Sequence, residues 1–353
     1  MDQLVTICIP AYNADKTIAK TLDSILNQTY SNIEIIVSDN HSTDNTVGIV
    51  KSYENRRVKL VTCPYPPVST GSLLDNTYSA AQNWNSLINY GTGKYIGIYH
   101  ADDIFAPTII EKQIKLFAGS KKLSAVFALP LNIDEDGNEL GSDSNSNNYS
   151  SSYEIFDQIK FVDLLANKGS FFSSSGILIN RDAWLKNGSF NINYGHALDT
   201  EFWIRLAKVS PIAIIYEQLV YYRISTFQDS SRWLKVYRYS NTAFLPVLDY
   251  YSNIPEIKEK LSKSAFLHLN ALRGADAFRI AINYAQDNNK PQLKFWLKKI
   301  WIIPLMQLFP LYKLHKRKYL TWIIAGKIWY LSVLMRVGWF VEFIIRRIPF
   351  LNS

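Results

Sequence analysis

The sequence predicts an α/β fold: an open, mainly parallel sheet flanked by helices, followed by a helical C-terminal extension. Three observations predict it. Short apolar runs alternate with stretches of helical spacing over roughly the first 130 residues. The connections are short, so strand–helix–strand units with right-handed crossovers follow. Several runs end in polar, chemistry-capable segments, which is where an open α/β sheet carries its ligands.

Taken in order, residues 4–10 (LVTICIP) form a short apolar run closed by proline, a buried first strand. Ala11-Tyr12-Asn13 follows as a loop. Residues 15–30 place Ile18, Leu22, Ile25 and Leu26 on one helical face. Residues 32–38 form a second strand ending in Asp39-Asn40-His41-Ser42-Thr43-Asp44. Ser42 or Thr43 is expected to cap the next helix, which carries Val47, Val50 and Tyr53. Residues 58–62 form a third strand and residues 78–90 a third helix. The run Tyr95–Tyr99 is a buried strand that stops abruptly at His100-Ala101-Asp102-Asp103. Adjacent carboxylates at a strand end are costly without compensation, and a divalent cation bound through oxygens is the usual remedy. Residues 123–133 give another strand, Asp136-Gly137 a hairpin turn, and residues 141–152 a polar surface loop. Residues 170–179 (SFFSSSGILI) are predicted as a strand, with a helix beginning at Arg181.

Composition narrows the function. The chain has 353 residues, 48% hydrophobic and 19% charged, enough for a catalytic domain and an extension. Cys8 and Cys63 show no metal spacing and no disulfide framework, consistent with a reducing compartment. Met1-Asp2-Gln3 enters an apolar strand without a basic leader region, so no secretory signal is expected. The net charge of +8 is uneven. Residues 290–353 hold twelve Lys/Arg and one acidic residue, +11, leaving 26 basic and 29 acidic residues, or −3, elsewhere. The body therefore gives no reason to expect nucleic acid, and the tail points to an anionic surface. No G-x-G-x-x-G follows the first strand and no P-loop motif occurs, which disfavours a dinucleotide oxidoreductase and a P-loop NTPase.

The series ICIPAYNADKTIAKTLDSIL, IEIIVSDNHSTDNT and NWNSLINYGTGKYIGIYHADDIFAP resembles the family 2 glycosyltransferases with the GT-A (Rossmann-like) fold. The resemblance covers about the first 130 residues and continues more weakly to about residue 225. It implies an inverting transferase that takes a sugar from a nucleotide sugar, with a UDP-sugar the expected donor. It implies that Ala11, Tyr12, Asn13 and Asp39 hold the nucleotide. It implies that Asp102, with Asp103 beside it, holds Mn²⁺ or Mg²⁺. His100 stands where the family often has aspartate. Residues 196–206 (HALDTEFWIRL) resemble the segment that carries the family's base, which puts that role on Asp199. Glu201 and His196 are the other candidates on the same stretch. Leu198 replaces the family's glutamate there. Tyr222-Arg223 resembles a further family motif, with Arg223 a candidate for a phosphate. The implied acceptor is a hydroxyl of a glycan or lipid-linked sugar in bacterial surface-polysaccharide assembly. The alternatives are transfer to a polyprenyl phosphate, which needs no base, and a non-catalytic sugar-nucleotide binder.

The chain is thus expected to divide into a catalytic domain at 1–230, a helical extension at 231–289 and a basic, aromatic-rich segment at 290–353. Trp296, Trp301, Trp322, Trp329 and Trp339 fall in the last, interleaved with Lys and Arg. Such composition suits helices lying in a membrane interface. Peripheral attachment to the cytoplasmic side of the inner membrane is the resulting expectation.

Overall fold

The computed structural model describes residues 3–54, 57–67, 75–119, 122–141, 151–225, 244–287 and 289–301. Two compact units form: residues 1–161 with 168–231, and residues 232–353 with 162–167.

The first unit is built on one mixed sheet. β1 (Val5–Ala11) lies parallel between β2 (Ile33–Asp39) and β4 (Tyr95–Ile98), with β3 (Val58–Thr62) parallel on the far side of β2. Val5, Ile7, Ile9, Ile35 and Val37 are buried, as in a strand covered on both faces. β1 is flanked by helices α1 (Ile18–Leu26) and α3 (Asp75–Leu87), and α2 (Thr46–Lys51) connects β2 to β3. Ile18, Leu22 and Ile25 bury the predicted face of α1. The register sets Ala11 against Asp39, so the first loop and the end of β2 meet at one edge. Glu34 on β2 ties the opposite end together. It accepts from the Thr6 hydroxyl at 2.6 Å and from the Thr92 N–H at 2.8 Å.

Beyond β4 the sheet turns mixed. A two-residue strand, β5 (Ile104–Phe105), precedes α4 (Ile109–Phe117) and β6 (Ala125–Ile133). β6 forms a hairpin with β7 (Glu139–Gly141) through the expected turn, where Gly137 has φ +101°. β8 (Tyr153–Phe156) and α5 (Gln158–Lys168) lead to β9 (Ile177–Asn180), which enters antiparallel between β4 and β6. α6 (Arg181–Asn187), a 3-10 turn over Ile192–Ala197 and α7 (Leu198–Val209) follow. β10 (Ile212–Arg223) then pairs parallel with β6 and antiparallel with β5 and β8.

Two local expectations change. Neither Ser42 nor Thr43 caps α2; the Asp44 carboxylate does that work, accepting from the Thr46 N–H at 2.9 Å. The strand predicted over residues 170–179 is confined to β9. Gly176 breaks it with φ +77°, where an added Cβ would meet Val220 Cγ2 at 2.7 Å. Its N–H donates to Ile98 O and its carbonyl accepts from Gln113. The three serines before it therefore sit in a loop, not a ladder.

In the second unit α8 (Phe244–Ser252) and α9 (Pro255–Lys258) precede the long α10 (Lys263–Gln286) and α11 (Lys290–Trp301). Arg273 of α10 pairs with Asp249 of α8 at 2.7 Å. No helix among the described residues is long and apolar enough to cross a membrane. α11 opens the basic segment; residues 302–353, like the polar stretch 142–150, lie outside the described residues.

Candidate active site

The carboxyl ends of β1 and β2 form the first part of the site. Ala11 is buried at the end of β1, and Tyr12 is 53% exposed beyond it. Asn13 takes a left-handed conformation, φ 48°, which asparagine tolerates. Its N–H donates to Ser42 Oγ at 2.9 Å, and its side-chain oxygen accepts from the Thr43 N–H at 2.8 Å. The loops after β1 and β2 are thereby locked together. Asp39 is 4% exposed, and its Oδ2 accepts from the Ser42 N–H at 3.1 Å. Its Oδ1 is buried with no donor in the protein. A buried carboxylate oxygen without a donor is costly, so this atom is a ready acceptor for a ligand hydroxyl.

The end of β4 forms the second part. One ligand atom each from His100, Asp102 and Asp103 lies within 4.8 Å of the others. Asp102 is half-buried, while Asp103 has no exposed surface. Burial, with Asp102 adding to it, pushes the Asp103 carboxyl well above the usual carboxylate range. The Ser175 hydroxyl and the Arg223 N–H, the latter 3.0 Å from Oδ1, work against that rise. The His100 ring packs on Trp84 at 5.5 Å. Burial lowers its pKa, and the Asp102 and Asp199 carboxylates oppose the shift. Asp103 Oδ2 and His100 Nε2 are buried without hydrogen-bond partners. Two carboxylates and one imidazole, with such atoms left over, could hold a divalent cation.

Thr17, at the N-cap of α1, and Thr21 within that helix hold this motif. Thr17 Oγ1 donates to Ala101 O at 3.0 Å, and Thr21 Oγ1 reaches Asp103 O at 2.7 Å. Arg223 holds it from the side. That residue is 3% exposed and donates to the carbonyls of Asp102, Asp134 and Glu135. These bonds, made through Nε and Nη1, clamp the acidic motif to the β6–β7 turn.

Asp199 stands in the first turn of α7, where the helix dipole favours negative charge. Its Oδ2 accepts from Ser174 Oγ at 2.7 Å and its Oδ1 from the Thr200 N–H at 2.6 Å. Burial raises the Tyr222 phenol pKa, and Asp103, Asp102 and Asp199 add to the rise. Two adjacent serines tie Asp199 to the acidic motif: Ser174 Oγ bonds Asp199 Oδ2, and Ser175 Oγ accepts the His100 N–H at 3.0 Å. Glu201 takes no part in this. It is 4% exposed and held by Arg205 at 2.9 and 3.0 Å, as a structural ion pair. His196 lies in the preceding 3-10 turn.

Asn83 and Asn85 are also structural: the first bonds Ser38, the second bonds the backbone of Phe190. The sequence reading passed over Ser174 and Ser175, whose hydroxyls reach Asp199 and the His100 N–H. The available signal was a run of three serines ending at glycine inside an otherwise apolar stretch.

The pattern of Glycosyl transferase family 2 matches residues 6–186. A chondroitin synthase of Escherichia coli is 27% identical over 231 residues, 65% of this chain and 30% of that protein. The E. coli UDP-Glc:alpha-D-GlcNAc-diphosphoundecaprenol beta-1,3-glucosyltransferase WfgD is 35% identical over 115 residues, 33% of this chain and 41% of that one. The chain therefore spans well under half the length of these curated relatives. Among solved structures, S. aureus TarS 1-349 in complex with UDP-GlcNAc aligns with TM-score 0.55 and 14% identity, covering 93% of this chain and 92% of that one. That likeness shows the GT-A fold expected from the sequence. With the family pattern spanning half of its residues, the chain belongs to glycosyl transferase family 2.

Proposed function

We propose that the protein is a metal-dependent, inverting glycosyltransferase that moves a sugar from a UDP-sugar to a hydroxyl of a glycan or lipid-linked acceptor. The observation that carries the reading is that adjacent serines tie Asp199 to the acidic motif, Ser174 bonding Asp199 at 2.7 Å and Ser175 accepting the His100 N–H at 3.0 Å. A transferase needs a base for the acceptor and a neutralised leaving group at one place. Asp39, with its unfilled Oδ1, takes a ribose hydroxyl, and Tyr12 covers the base from the exposed side of the same loop. Ala11 and Asn13 shape that loop. Asp199, fixed at both oxygens, accepts the proton of the attacking hydroxyl. A divalent cation held by Asp102, with Asp103 and His100 beside it, supplies Lewis-acid neutralisation of the leaving diphosphate. A single base opposite the leaving group implies one displacement and inversion. The name of the WfgD relative, with its UDP-sugar and diphosphoundecaprenol-linked acceptor, supports the choice of donor and acceptor class. The setting we infer is bacterial surface-polysaccharide assembly, with the basic segment 290–353 resting on the cytoplasmic face of the inner membrane.

The test is a screen of purified protein with Mn²⁺ against nucleotide sugars and glycan or lipid-linked acceptors, scoring release of nucleoside diphosphate. UDP release that stops with EDTA and returns with added cation is the expected result. UDP binding without turnover of any pair would favour the non-catalytic alternative.

A further inference from the structure

The loop that Gly176 frees from the sheet carries a hydrogen-bond chain whose direction is fixed by chemistry. The indole N–H of Trp203 lies 3.1 Å from Ser174 Oγ. Indole can only donate, so the serine oxygen must accept. The single hydroxyl proton of Ser174 is then left for Asp199 Oδ2, at 2.7 Å. Trp203 cannot swing away: it is 1% exposed and gripped edge-on by Phe127 at 5.4 Å and Phe190 at 5.7 Å. The next serine reaches the other half of the site. Ser175 Oγ accepts the His100 N–H at 3.0 Å, and Ser175 N–H is in turn held by Ser173 Oγ at 3.0 Å.

We propose that Ser174 is a positioning residue for the reaction, aiming the Asp199 carboxylate through a hydroxyl whose direction Trp203 dictates. The inference rests on the reading of Asp199 as the base. Asp199 already accepts from Thr200 on its other oxygen. With Ser174 in place both oxygens are tethered, and a carboxylate still has lone pairs left for the acceptor hydroxyl. Without Ser174 the carboxylate can turn about its remaining tether. Because Ser174 and Ser175 are adjacent, the same few backbone atoms also set the spacing between the base and the acidic motif. Misplacement of a reacting group by about 1 Å costs on the order of a hundredfold in rate.

The experiment uses the full chain and the UDP-sugar and acceptor turned over fastest in the donor screen, with UDP itself as the binding probe. Ser174→Ala is expected to lower kcat about 10- to 100-fold, leaving the KM for donor and the affinity for UDP unchanged. Ser174→Thr, which keeps the hydroxyl, retains most of the rate. Ser174→Cys, similar in shape but a weak donor, falls below Ser174→Thr. A wild-type rate for Ser174→Ala overturns the inference while leaving Asp199 as the base, provided Asp199→Asn is crippled in parallel. A full rate for Asp199→Asn overturns the base assignment and this inference with it. Should Ser174→Ala lose UDP binding as well, the other two variants decide, and equal rates for Ser174→Cys and Ser174→Thr overturn the proposal.

Discussion

At the scale of single residues, neighbouring polar groups divide into those the protein has satisfied and those it has left open. Asp39 is open at Oδ1. Asp39→Ala is expected to weaken UDP binding by about ten- to a hundredfold, the worth of one charge-assisted hydrogen bond at roughly 1.5–3 kcal/mol. Titration calorimetry with UDP measures it, and unchanged affinity would leave Asp39 as a turn residue only. Asp102 and Asp103 are adjacent in sequence yet differently placed, one half-buried and the other wholly enclosed. Asp102→Ala is therefore expected to abolish turnover and weaken Mn²⁺ binding with little loss of thermal stability. Near-normal turnover in Mn²⁺ would remove Asp102 from the cation site. Glu201 and Asp199 differ in the same way, because Glu201 is paired with Arg205 whereas Asp199, among the described residues, accepts only from Ser174 and Thr200 and keeps lone pairs for an acceptor. The segment HALDTEFWIRL carries half of that difference: Glu201 and Arg205 stand four residues apart, the spacing of a helical ion pair, whereas the serine that holds Asp199 comes from another stretch.

Among the elements, the parallel half was legible because each of its strands is a short apolar run and each of its joins is short. β1, β2, β3 and β4 lie within a residue or two of where the apolar runs put them. The mixed half was less so. The insertion of β9 between β4 and β6 depends on long-range pairing that no local pattern encodes. The serine loop was misread because its phenylalanines and β9 look like one continuous strand, and the φ of Gly176 is not written in its neighbours. Glu34 gives a stability prediction at this scale. Burial alone would raise its pKa, but hydrogen bonds from Thr6, Thr92 and Gly93 outweigh it and hold the value below normal. A depressed carboxyl stabilises the fold above its unfolded-state pKa, and the benefit fades as pH falls through the folded value. Glu34→Gln is expected to lower Tm at neutral pH and to lower it less at about pH 3, below the ordinary glutamate pKa. An equal Tm difference at both pH values would show that the charge is not what matters.

For the molecule as a whole, the charge distribution is the feature with the widest reach. The last 64 residues carry +11 against −3 for everything before them. Full-length protein is expected to co-sediment with anionic vesicles at low salt and to be released at high salt. Replacing Lys316, Arg317 and Lys318 with Gln removes three charges worth about 1 kcal/mol each near such a surface, so partitioning falls on the order of a hundredfold. Equal sedimentation with neutral vesicles would sink the membrane proposal. One feature of the first unit also couples the two proposed ligand sites. The loop proposed to hold the nucleotide runs into α1, and Thr17 at that helix's N-cap and Thr21 within it support the acidic motif. Thr21→Val removes the hydroxyl without changing the shape, and it should loosen UDP and Mn²⁺ together. Under the proposed reading, affinity for donor and affinity for cation vary together in this chain, because a substitution that shifts α1 displaces the loop after β1 and the acidic motif at once.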